Sequence, residues 1–157
     1  MDIAGDIRAS MGADWLPDIY QQKVRSGRTR SISLEVPERR NEALIEYTLL
    51  GIELRVGKTR FSCPDLATAR YMRVFARVGC REFAVPYDIT RISAIADEME
   101  TSWQRMLLLI DERTRSNTPR LRTLATSKTI RSIRDDLNDI GPGDLMPAFD
   151  RETRQRG

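Results

Sequence analysis

Six arginines carry the chemistry this chain is best equipped for. Arg25, Arg28 and Arg30 recur within residues 20–34, a stretch that also holds Lys23 and contains no acid. Arg70, Arg73 and Arg77 follow at i, i+3 and i+7, the spacing that lines one face of a helix. A guanidinium is planar and donates paired hydrogen bonds, so it matches the geometry of a phosphate. Three on one helical stripe can track a phosphate backbone without reading a sequence. A second basic stretch, residues 113–134, carries Arg113, Arg115, Arg120, Arg122, Lys128, Arg131 and Arg134, again with no acid. The competing reading of these runs is a solvated basic face. Arg131 also stands four residues before Asp135, a spacing at which a local ion pair consumes the charge.

The same inventory removes most catalytic chemistry. The sequence contains no histidine, so Ser-His-Asp and Cys-His catalysis and histidine proton shuttles are excluded. Two cysteines without histidine cannot make the usual zinc site. Gly57-Lys58-Thr59 has the end of a phosphate loop but lacks its upstream glycine, and it reads as a turn. The one enzyme class left to weigh is a metal-dependent nuclease built on Glu46, Glu53, Asp65 and Lys58. There Glu53-Leu54-Arg55 sets arginine where such a site would place lysine, and Glu53 reads better as a solvated strand charge. No cofactor and no metal site is expected, and no residue is assigned a catalytic role.

The elements that would position these groups follow from periodicity. Ile3, Ile7 and Met11 recur at helical spacing, Gly12 interrupts them, and Pro17 opens a second short helix ending near Arg25. Ile32, Leu34 and Val36 alternate as a strand. Pro37 then suits the first position of a helix running to about residue 50, with Gly51 as its stop. Residues 52–63 form the clearest pattern. A two-residue turn at Gly57-Lys58 sets Val56 against Thr59, Leu54 against Phe61 and Ile52 against Cys63, and every apolar residue falls on one face. Asp65 caps a helix lined by Ala67, Tyr71, Val74 and Val78 and stopped by Gly79. Residues 81–87 make a strand with Phe83 and Val85 inward, and Pro86 places it at a sheet edge.

A long helix over residues 90–112 carries an apolar stripe of Ile92, Ala96, Met99, Trp103, Met106 and Ile110. A last amphipathic helix spans residues 127–140. The expected organisation is one α+β domain over residues 1–140 and a mobile tail over 141–157. Cys63 and Cys80 flank the third helix, about 20 Å apart at 1.5 Å per residue, too far for a disulfide. Both read as buried thiols.

From residue 30 to residue 87 the order is strand, helix, strand, strand, helix, strand. That order resembles the ferredoxin-like βαββαβ arrangement, with the N-terminal helices, the long helix and the C-terminal helix as additions. The resemblance is one of topology. The outward positions Ser31, Ser33, Glu35, Arg60 and Ser62 lack the aromatics with which RNA-recognition domains stack bases. Val36-Pro37-Glu38-Arg39 stands where acylphosphatase-like enzymes carry a glycine-rich phosphate loop.

No apolar run approaches the ~20 residues of a membrane span, so a cytoplasmic protein without a membrane partner is expected. The first function expected is a non-enzymatic binding or regulatory protein contacting nucleic acid or phosphate through Arg25, Arg28, Arg30, Arg70, Arg73 and Arg77. The alternative is a protein-interaction module that forms a homodimer, or takes another protein partner, through Trp103, Leu107, Leu108 and Ile110. These lie where a long helix would overhang a short sheet. The nuclease stands third.

Overall fold

The computed structural model describes residues 2–143. It is a mixed α+β fold with two small antiparallel sheets. Helix α1 (Ile3–Met11) starts where the Asp2 carboxylate accepts the Gly5 N–H at 3.0 Å, and it breaks at Gly12, whose φ is 56°. Helix α2 (Leu16–Ile19) has Pro17 near its start and widens into a π turn over Tyr20–Val24. Strand β1 (Thr29–Ser33) follows, then a three-stranded meander of β2 (Ala43–Thr48), β3 (Gly51–Val56) and β4 (Thr59–Cys63). Helix α3 (Leu66–Val78) leads to β5 (Glu82–Pro86), which pairs with β1. Two 22-residue helices close the chain, α4 (Ile92–Arg113) and α5 (Pro119–Ile140).

The β3–β4 hairpin has the register its alternation dictates: Ile52 faces Cys63, Leu54 faces Phe61 and Val56 faces Thr59. Leu54, Val56 and Cys63 are buried, Phe61 is half-buried, and Arg55 and Arg60 take the other face. Asp65 caps α3 by accepting the Thr68 N–H at 2.7 Å, and Gly79 ends it in the left-handed region at φ 83°. All six residues of the α4 stripe are buried. Helix α5 begins eight residues before the expected start, because Thr118 caps it and Pro119 fills its first turn.

The expected helix over residues 37–50 is not formed. Residues 37–42 are irregular, and Ala43–Thr48 is a strand paired with β3. The physical reason is tertiary. The Asn41 side-chain amide donates to the Pro37, Arg39 and Ala76 carbonyls, and its backbone N–H donates to the Arg77 carbonyl. Residues 37–41 thus cap the end of α3 instead of starting a helix of their own. The ferredoxin-like order is not confirmed either. That arrangement needs β1 between the strand of residues 59–63 and the last strand, whereas β1 pairs with β5 alone.

A sheet of two strands leaves β5 with a second edge inside the protein. Two tyrosines finish it. Tyr20 accepts the Ala84 N–H at 2.8 Å and donates to the Gly141 carbonyl at 2.7 Å, while Tyr71 donates to the Ala84 carbonyl at 2.5 Å. Burial pushes the Tyr20 hydroxyl up to about 12 and Tyr71 well above the usual tyrosine range, so both stay protonated donors. Beside them Phe75 stacks on Phe83 at 4.0 Å, nearly parallel, with Tyr20 and Tyr71 angled against Phe75. This aromatic cluster ties α2, α3 and β5 together.

The expected tail over residues 141–157 lies, beyond residue 143, outside the described residues. Gly141 and Pro142 themselves offer their carbonyls to Tyr20 and Ser31. No described helix is long and apolar enough to cross a membrane.

Candidate functional site

The α3 arginines do not stand free. Helix α4 packs against α3 and presents Asp97 and Glu100 to the stripe. Arg70 bonds both carboxylates, its Nε lying 3.1 Å from Glu100, and Arg73 reaches the other Glu100 oxygen at 2.5 Å. Arg77 has no carboxylate within ion-pair distance among the described residues. It is half-buried, and burial lowers its pKa, assisted by the charges of Arg73 and Arg40. Glu100 is the keystone of this group. Burial alone would raise its pKa, but hydrogen bonds from Arg70 and Arg73 outweigh burial and hold it below the usual glutamate range.

That sign has a consequence for acid stability. A carboxylate with a depressed folded pKa contributes stability that is complete above its unfolded pKa, about 4.3, and is lost as pH falls through the folded value. Glu100→Gln should therefore flatten the acid limb of stability below about pH 4.3. At neutral pH it should cost about 1 to 2 kcal/mol, discounted for the partial exposure of the pairs. Urea titrations of both proteins between pH 3 and pH 7 check this. An unchanged acid limb would show that Glu100 carries no net interaction.

Arg25, Arg28 and Arg30 are placed differently. The π turn ends at Lys23 and Val24, Ser26 Oγ donates to the Gln22 carbonyl at 2.6 Å, and the chain turns at Gly27 into β1. The Tyr87 N–H donates to the Arg28 carbonyl at 2.9 Å, which extends the β1–β5 ribbon by one pair. The Arg28 guanidinium carbon sits 4.7 Å from the centroid of the half-exposed Tyr87 ring. Arg91, one turn beyond Asp88, donates to the Lys23 carbonyl at 2.9 Å and brings a further cation to this end of the ribbon. Arg30 is exposed two residues along β1, on the same side as Arg28. Among the described residues no carboxylate lies within ion-pair distance of Lys23, Arg28, Arg30 or Arg91. Arg25 is half-buried, with its guanidinium beside Gly143.

The structure thus brings Arg28 and Arg30 together and places Arg70, Arg73 and Arg77 elsewhere. It adds Tyr87 and Arg91, which sequence reasoning missed. Their signal was present in outline: an aromatic just past a strand-ending proline, then an arginine after a short capped turn.

Of the residues expected at an interface, Trp103 and Ile110 are buried by the chain itself. Helices α1, α2 and α5 pack around α4. Leu107 is half-buried and Leu108 remains 69% exposed. Of the nuclease carboxylates, Glu46 and Glu53 are paired with arginine, and Asp65 is taken up in capping α3. Glu46 and Glu53 face each other across β2 and β3, and Arg60 Nη1 reaches them at 2.7 Å and 3.2 Å, with Arg55 Nε 3.2 Å from Glu46. A guanidinium occupies the place between them that a cation would need. Lys58 sits in the turn at the far end of that hairpin. The thiols of Cys63 and Cys80 are free and buried; burial pushes Cys63 upward and Cys80 to about 11, so neither is poised as a nucleophile.

No protein-family model, curated protein or solved structure matches the chain.

Proposed function

We propose that this is a non-enzymatic binding protein that docks a nucleic-acid strand on the open end of the β1–β5 ribbon, with Arg28, Arg30, Arg91 and Lys23 on its phosphates. The observation that carries the reading is Arg28 stacked on the exposed Tyr87 ring, with Arg30 along the same strand and Arg91 tied to the Lys23 carbonyl, none of the four cations lying within ion-pair distance of a carboxylate among the described residues. Arginine stacked on tyrosine offers a flat face for a base next to donors for its phosphate, the combination that holds single strands without sequence preference. Arg70 and Arg73 in this reading fasten α3 to α4, and the docked strand does not touch them.

The test is fluorescence anisotropy with a labelled oligonucleotide across a salt series. Binding should weaken steeply with salt, because each phosphate neutralised releases counterion, with a slope of about 0.7 per contact on a single strand. Arg28→Gln combined with Arg30→Gln should lower affinity at least tenfold and flatten the slope by about 1.4. Tyr87→Ala should cost about 1 to 3 kcal/mol with the oligonucleotide and leave inorganic polyphosphate binding unchanged. Arg131→Gln, on the distant exposed face of α5, is the control. Absence of binding at low salt, or equal losses from the control, overturns the reading.

A further inference from the structure

Natural sheets blunt their open edges with lysine, proline, bulges or a covering element. Three of the edges here obey. The β4 edge carries Arg60 between Lys58 and Pro64, the β1 edge carries Arg28 and Arg30 and meets Pro142 through Ser31, and β5 is finished by the two tyrosines. Strand β2 has only Glu46, whose charge Arg55 and Arg60 of its own sheet already engage. Its six residues, Ala-Leu-Ile-Glu-Tyr-Thr, contain no lysine, arginine or proline, and they pair with β3 residue for residue without a bulge. Nothing among the described residues pairs with its outer edge. Its side chains are unusually apolar for an edge, with Leu44 and Tyr47 exposed. The turn that follows places Leu49 and Leu50 in solvent at 106% and 92% exposure, where turns ordinarily take Gly, Asn or Asp.

We propose that β2 is the interface between two copies of this chain, paired antiparallel about a two-fold axis at Ile45. The proposal is independent of the phosphate reading. Residues opposite one another in a sheet share a face, so only registers that keep odd residues against odd are allowed. Centring on Glu46 would oppose two carboxylates. Centring on Ile45 opposes Leu44 to the partner's Glu46 and the small Ala43 to the partner's Tyr47, and sets no like charges face to face. Hydrogen-bonding direction alternates along a strand. With Leu44, Glu46 and Thr48 bonded to β3, the N–H and C=O groups of Ala43, Ile45 and Tyr47 are those free to bond the partner.

The same register disposes of the leucine tip. It carries Leu49 and Leu50 past the partner's Glu42 to the partner's Arg40 and Asn41. Beside those residues a cavity of about 370 Å³ opens, walled in part by Ala43, Leu44, Trp103 and Leu107. Two exposed leucines on one copy meet a part-apolar recess on the other, twice by symmetry, which is the self-complementarity an isologous dimer requires.

Sedimentation velocity of the full chain over a concentration series is the first measurement, and a reversible dimer is expected. Ile45→Pro removes an N–H that the monomer directs to solvent, and an edge strand tolerates proline there. It should give a monomer with an unchanged far-UV spectrum. Leu49→Ser with Leu50→Ser, at fully exposed positions, should raise the dimer dissociation constant at least tenfold without affecting unfolding. Mild oxidation should cross-link Ile45→Cys to its symmetry mate, because the two Cα atoms of a hydrogen-bonded pair stand about 5.5 Å apart. Tyr47→Cys, about 13 Å from its own mate in this register, should not cross-link. A wild-type monomer at every concentration overturns the proposal. So does a dimer that survives the Leu49 and Leu50 changes, or cross-linking at residue 47 but not 45.

Discussion

Gly79→Ala should destabilise the fold by about 2 to 5 kcal/mol, the largest effect of any single methyl group in the chain. Two independent costs combine. Gly79 has φ 83°, where a side chain costs about 1 to 2 kcal/mol. The space is also taken, since a Cβ there would lie 2.3 Å from the Arg39 carbonyl oxygen, 2.6 Å from the Arg39 nitrogen and 2.9 Å from the Pro37 carbonyl oxygen. All three are backbone atoms and cannot rotate away. The segment that would have to lift is the one Asn41 binds to the end of α3, so the carbonyls of Ala76 and Arg77 would lose their donors as well. Urea denaturation at neutral pH measures the loss. A loss no larger than the about 1 to 2 kcal/mol of the left-handed backbone alone would mean that the close passage of residues 37–39 over α3 is wrong.

Phe75→Ala should cost about 3 to 5 kcal/mol, the range for deleting a buried aromatic ring. Phe75 is fully buried, stacked on Phe83 and flanked by Tyr20 and Tyr71, so little can collapse into the void. Its loss should also be felt beyond the cavity. The tyrosines that hold both polar groups of Ala84 lean on this ring, so the β1–β5 ribbon should loosen ahead of the β2–β4 meander. Hydrogen exchange tests this directly: amides of β5 should lose more protection than those of β3. A uniform loss across both sheets would assign the ring a generic packing role. Phe75→Leu, which keeps most of the volume, should recover at least half of the stability.

What the sequence disclosed and what it hid separate along one physical line. Elements whose pattern is local were legible. The β3–β4 register followed from alternation about Gly57-Lys58, the α4 stripe from its period, and the limits of α3 from Asp65 and Gly79. Residues 37–50 were misread because Pro37, the spacing of Leu44 and Tyr47, and Gly51 mimic the start, face and stop of a helix. What overrides them is Asn41 reaching α3, a contact 35 residues away in sequence. The candidate site divided in the same way. Arg28 and Arg30 are neighbours along one strand, and their proximity could be read. Asp97 and Glu100 meet Arg70 and Arg73 only because α4 packs on α3, a long-range contact that no local pattern displays.

The pairing of β1 with β5 makes the architecture nested: the meander and α3 lie wholly between two strands that are themselves partners. Ser33 and Glu82 meet across 49 positions of chain, whereas Val56 and Thr59 meet across three. In a disordered chain, joining ends that far apart costs roughly 3 kcal/mol in configurational freedom, and a tight hairpin costs far less. Once β2, β3, β4 and α3 are in place, that freedom has already been given up, and β1 needs only to find a strand held near it. Refolding should therefore run from the inside outward, with the hairpin nucleating and the ribbon closing last. The end of the ribbon, where Arg28 meets Tyr87, would then be among the final parts of the molecule to take shape.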